Sequence, residues 1–103
     1  MQEYKVSILP IAKDDIANIY YYIAPENPDA ALKLTSNILK QIDTLAIFPT
    51  RCPLIRHVEL AGQQYRMLIV DNYNIFFKIL GDDVIVFRVL HSRRDYLYLL
   101  EQE

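Results

Sequence analysis

At 103 residues, 52% of them hydrophobic, the chain is sized for one domain, residues 1–103, with a single two-layer core and little apolar surface to spare. A formal net charge of −2 and a pI near 5.6 argue against nucleic acid as the main surface partner, and two glycines leave no glycine-rich loop to cradle a nucleotide. The single cysteine, Cys52, excludes an intramolecular disulfide and a thiolate metal cluster. No His/Cys/Asp/Glu set has metal-ligand spacing, so neither a metal nor a cofactor is expected.

The N-terminal MQEYKVSIL lacks the basic start and long apolar run of a secretory signal. No stretch approaches the roughly 18 apolar residues of a membrane span, so a soluble, cytoplasmic chain with no membrane partner is expected. Tyr4 to Leu9 alternates as a short strand, and Pro10 stands where a helix can begin with its missing N–H unneeded. Ala12, Ile16, Ile19, Tyr20 and Ile23 then recur at helical spacing, with Asp14 and Asp15 assigned to the positive end of the helix dipole. The helix should stop near Ala24, before Pro25. Within the Tyr20-Tyr21-Tyr22 run, Tyr20 belongs to the buried stripe. Tyr21 and Tyr22 fall on the helix flank, where aromatic rings serve interfaces.

Asn27, Pro28 and Asp29 supply an N-cap, a first-turn proline and an early acid for a second helix. Its stripe is Ala31, Leu34, Ile38, Ile42 and Leu45. The stretch from Phe48 to Gln63, with Pro49 and Pro53, reads as an irregular connector. From Gln64 to Tyr98, three apolar runs separated by Asp71-Asn72 and Gly81-Asp82-Asp83 read as an antiparallel meander, followed by a short C-terminal helix in YLYLLEQE. The whole predicts an α+β domain: an N-terminal strand, a helical hairpin packed on a small, mainly antiparallel sheet, and a short C-terminal helix.

Alternation along the meander assigns Met67, Ile69, Tyr73, Ile75, Phe77, Ile79, Ile85, Phe87 and Val89 to a core face. The opposite face would then carry Arg66, Asn74, Lys78 and Arg88 beside Leu68, Val70, Phe76, Leu80, Val84, Val86 and Leu90. With Tyr96, Leu97, Leu99 and Leu100 this is more apolar surface than a chain of this size can bury alone, so a groove filled by another chain, or self-association when free, is expected.

The element order, the NPDAA helix start, the YRMLIVDNYNIFFKI double strand and the closing VLHSRRDY resemble the RelE/ParE superfamily of bacterial toxins from type II toxin–antitoxin modules, plasmid-stabilisation proteins among them. The resemblance spans nearly the whole chain. It implies a toxin that arrests growth and a co-encoded antitoxin that fills the groove, with Leu68, Val70, Phe76, Val84, Val86, Arg88, Leu97 and Leu100 as the antitoxin-binding set. ParE-like members inhibit DNA gyrase through protein contacts. RelE-like members are ribosome-dependent mRNA endonucleases, whose strand carries an Arg directly after its Tyr.

Here Tyr73 is followed by Asn74, and the acidic pI also counts against work on ribosome-bound mRNA. If the chain were a nuclease, its candidate catalytic residues would be Arg66, Lys78, Arg88, His91, Arg93 and Tyr96. Each has a structural reading as well. Arg66 and Arg88 can lay their stems over apolar neighbours and bond antitoxin carboxylates. His91 shares the apolar parity, Arg93-Arg94-Asp95 can form ion pairs, and Tyr96 can be core. The expectation is a ParE-like gyrase inhibitor, with the mRNA endonuclease as alternative and an inactive antitoxin-binding module third.

Overall fold

The computed structural model describes residues 2–56, 62–94 and 99–100. Strand β1 (Lys5–Ile8) runs straight into helix α1 (Pro10–Ile23), followed by α2 (Pro28–Asp43) and by 3₁₀ turns at Thr44–Ala46 and Pro49–Arg51. Strands β2 (Arg66–Val70), β3 (Tyr73–Leu80) and β4 (Asp83–His91) complete the order. Pro10 opens α1 as expected. Asp14 and Asp15 lie beyond its first turn, too far along for the dipole role assigned to them.

The α2 start also follows the sequence. The Asn27 side chain accepts the Ala30 N–H at 3.1 Å, Pro28 needs no donor partner, and Asp29 sits in the positive first turn. Replacing Asn27 with alanine orphans that N–H and is expected to cost about 1 kcal/mol, read as a lowered thermal midpoint.

The sheet order is β1-β4-β3-β2, with β1 parallel to β4 and the other pairs antiparallel. Both hairpins have two-residue loops: Val70 pairs with Tyr73 and Leu80 with Asp83. The first loop residue of each takes a left-handed backbone, Asp71 at φ 52° and Gly81 at φ 61°. Glycine adopts it freely, and aspartate tolerates it better than most residues.

These loops decide which side chains face the helices. A two-residue loop pairs positions three apart, so the buried parity flips at each turn. The core face is Leu68 and Val70 on β2, Tyr73, Ile75, Phe77 and Ile79 on β3, then Val84 and Val86 on β4, packed against Ala12, Ile16, Ile19, Ile38, Ile42 and Leu45. The β3 assignment from sequence holds, whereas β2 and the first half of β4 are inverted: Ile69 is 64% exposed, and Met67 and Phe87 pack on the outer face.

A bulge then restores the predicted parity at Val89. Phe76 faces Arg88 while Phe77 faces Val86, leaving Phe87 as the extra residue.

Arg51 organises the connector. Its guanidinium donates to the Ile47 and Phe48 carbonyls at 3.0 and 3.1 Å and to Thr44 Oγ1 at 2.7 Å, which closes the two 3₁₀ turns on each other. Among the described residues, no helix is long and apolar enough to cross a membrane.

Candidate functional site

The outer sheet face differs from the open cationic groove expected from sequence. Tyr65, Phe76, Leu90 and Leu100 form a second buried cluster there, with Ile55, Met67, Phe87 and Leu99 packed around it. Leu99 and Leu100, both helical, pack onto the Phe76 and Leu90 part of this face. Of the antitoxin-binding residues assigned from sequence, Leu68, Val70, Val84 and Val86 lie under the helices, and Phe76 and Leu100 are buried in the outer cluster. Leu97 lies outside the described residues, as do Tyr96 and most of the expected C-terminal helix.

The expected cations are dispersed. Lys78 stands on the outer face, its ammonium 4.4 Å from the Tyr65 ring centre and 5.1 Å from that of Phe87. The two rings meet edge to face at 5.3 Å, a cradle that holds the cation by its attraction to the negative ring faces. Arg66 has the parity of Leu68 and Val70. It turns to the connector and donates to the Cys52 carbonyl at 2.6 Å.

Arg88 is buried against α1. Its Nε and Nη2 donate to the two Asp15 carboxylate oxygens at 2.8 and 2.9 Å, and Asp15 Oδ2 also accepts the Val89 N–H at 3.0 Å. The bulge makes this possible, because β1 ends opposite Val86 and leaves the Val89 edge of β4 for an α1 side chain to cap. Lys78 and Arg88 thus share the outer parity after the bulge, as the sequence suggested, but Arg66 lies on the opposite parity and Arg88 is held at the β4 edge by Asp15, so the three do not converge, which corrects the sequence reading.

Beside this ion pair lies a cleft of about 530 Å³ between α1 and the ends of β3 and β4, within the size range of ligand pockets. Ile19, Ile23, Val89 and Leu90 give it an apolar lining. Asn18, Tyr22, Tyr73, His91 and Arg94 bring polar groups, and Tyr73 and His91 meet edge to face at 5.2 Å. His91 Nδ1 accepts the Arg93 N–H at 3.1 Å, so this nitrogen is engaged in shaping the turn that carries Arg93 and Arg94.

Burial, with a smaller contribution from Tyr22, raises the Tyr73 phenol above its ordinary 10.0. It therefore stays protonated as a hydrogen-bond donor at neutral pH and is poorly suited to be a base. The cleft thus offers apolar contact, donors and one rim cation.

Burial also raises the Cys52 thiol above 9.0, against the lowering influence of Arg51 and Arg66. A raised folded-state pKa means that its stabilising contribution is full below pH 9 and is lost as pH climbs through the folded value. Alkylation of Cys52 at pH 8 is expected to be at least tenfold slower in the native protein than in the unfolded one, measured by mass spectrometry.

Sequence reasoning missed Asp15 and Asn18 as site residues, and assigned Tyr73 to the core and Arg94 to ion pairs, while it placed Tyr22 on a helix flank suited to interfaces. Asp15 had a legible signal: it lies three residues after Ala12 and one before Ile16, beside the buried stripe of α1, where an unpaired carboxylate would be costly.

The family model described as the ParE toxin of the type II toxin–antitoxin system, parDE, matches residues 6–96. No curated protein sequence matches significantly. Among solved structures, a chain of the chromosomal ParDE TA system from P. aeruginosa superposes with a TM-score of 0.73 at 21% identity, over 86% of this chain and 96% of that one. A chain of the toxin–antitoxin complex RelBE2 from Mycobacterium tuberculosis gives 0.65 at 19%, over 86% and 98%. At these identities the structural likeness carries the fold, and the sequence match to the family model carries the membership. The chain belongs to the ParE toxin family of type II toxin–antitoxin systems.

Proposed function

We propose that this chain works in the cytoplasm as a growth-arresting toxin, neutralised by a co-encoded antitoxin, and that it acts on DNA gyrase through protein contacts rather than by cutting RNA. The dispersal of its cations supports this reading most. Phosphoryl transfer to a ribose hydroxyl needs a base and cationic groups converging on one phosphate.

Here Arg88 is committed to Asp15, Arg66 to the connector and Lys78 to an aromatic cradle, while His91 lies in the cleft at the end of β4. The net charge of −2 and Asn74 after Tyr73 point the same way. An inhibitor acting by contact needs no such convergence, and the exposed aromatic and apolar side chains of the helical hairpin suit protein partners.

Pulse-labelling cells within minutes of inducing the protein without its antitoxin tests the reading. Thymidine incorporation should fall while amino-acid incorporation continues. The reverse order would mean an mRNA endonuclease, and unchanged incorporation of both would mean an inert antitoxin-binding module.

A further inference from the structure

The cleft between α1 and the ends of β3 and β4 selects one kind of occupant. Its carboxylate, Asp15, is fully engaged, with both oxygens accepting from Arg88 and one also from the Val89 N–H. What remains free to recognise a ligand is a set of donors: the Arg94 guanidinium at the rim, the Asn18 amide, and the hydroxyls of Tyr22 and Tyr73. Arg93 and Arg94 are both exposed, and among the described residues neither has an ion pair. The local balance is therefore cationic although the whole chain is acidic.

Tyr22 supplies a second, independent observation. It stands at the lip of the cleft 86% exposed, an aromatic ring of the size that dominates interface energetics, with most of its surface left in water. Its neighbour Tyr21 is 71% exposed and does not line the cleft. The Tyr21 ring instead meets Tyr20 edge to face at 5.5 Å.

A small free anion would satisfy Arg94 but leave the Tyr22 ring and the partly exposed Ile23 and Tyr73 facing water. A purely apolar ligand would cover those side chains and leave the donors unpaired.

We propose that the cleft seats a protein segment bearing a large apolar side chain beside an aspartate or glutamate. The apolar group lodges against Ile23 between the Tyr22 and Tyr73 rings, and the carboxylate pairs with Arg94. This rests on the toxin reading above, in which the segment belongs to the antitoxin, and it moves the main contact from the outer sheet face to the α1 end of the molecule.

Calorimetric titration of the purified protein with the co-encoded antitoxin tests it, using wild type, Tyr22→Ala, Arg94→Glu and Tyr21→Ala. All three sites are exposed, so folding should survive, and circular dichroism verifies this. Tyr22→Ala and Arg94→Glu should each weaken binding at least tenfold, and Arg94→Glu should also flatten the salt dependence. Tyr21→Ala should stay within about threefold of wild type.

Wild-type affinity in both cleft variants would overturn the proposal while leaving the toxin reading intact. Equal losses in Tyr21→Ala and Tyr22→Ala would also overturn it, because the contact would then be the hairpin flank. An antitoxin that fails to bind wild type would remove the toxin reading and this site together.

Discussion

Asp15→Ala should lower stability by about 3–5 kcal/mol, among the largest losses available from one side chain of this protein. The substitution strands the Arg88 guanidinium, whose side chain is 10% exposed, in a place built for a carboxylate. It also removes the acceptor of the Val89 N–H on a strand edge that β1 does not reach. For a domain of about 100 residues this corresponds to a fall of roughly 10–25 °C in thermal midpoint.

Removing both charges with apolar replacements of similar volume, Asp15→Leu with Arg88→Met, should recover much of the loss, since the stranded charge dominates the cost. The Val89 N–H would still lack its acceptor, so recovery should stop short of wild type by about 1 kcal/mol. A double variant no more stable than Asp15→Ala would mean that the pair matters for its geometry at the bulge rather than for its charges.

Val86→Asp should abolish folding, while Ile69→Asp should change stability by about 0.5 kcal/mol or less. Val86 is fully buried between the sheet and the helices, and an unpaired carboxylate there costs a large share of the roughly 5–15 kcal/mol that holds a domain together. Ile69 is on edge strand β2 and already meets water, so a charge there costs little. Denaturant unfolding of the two variants checks the pair. The opposite ranking would restore the unbroken alternation suggested by sequence and contradict the register of both hairpins.

That inversion marks what a sequence of this kind discloses. The elements were legible because their signals are local: Pro10 and Asn27-Pro28 start the helices, the Ala31 to Leu45 stripe has helical spacing, and Asp71-Asn72 and Gly81-Asp82 sit between apolar runs. The faces were not, because nearly every position in β2 to β4 is apolar on both sides and alternation carries little contrast. Even so, the two-residue loops predict that parity flips across each turn, and that signal was available.

The bulge at Phe87 was not available from sequence, since nothing local distinguishes Phe87 from its neighbours as the residue to be left out of register. The cations were the least legible. Arg88 finds its partner 73 residues away on α1, and Arg66 finds its carbonyl 14 residues back in an irregular connector. Long-range pairings of this kind leave no spacing to read. The packing of Leu99 and Leu100 against Phe76 and Leu90 is likewise a long-range contact that composition alone does not specify.

The two sheet faces also bear on how the protein can act. With Phe76 and Leu90 buried against Leu100, and Lys78 held by Tyr65 and Phe87, the middle of the outer face is covered, while Ile69 and Leu80 stay exposed on it. The helical hairpin leaves Tyr21, Tyr22, Leu32 and Leu39 in water, two of them aromatic. Recognition by contact is the chemistry this distribution favours, and it places the burden of proof on the target.

A supercoiling assay with purified DNA gyrase, run beside a ribosome-dependent mRNA cleavage assay on the same preparation, tests that claim most directly. Dose-dependent loss of supercoiling, reversed by the antitoxin and with the mRNA left intact, is expected. Cleaved mRNA with gyrase unaffected would contradict it.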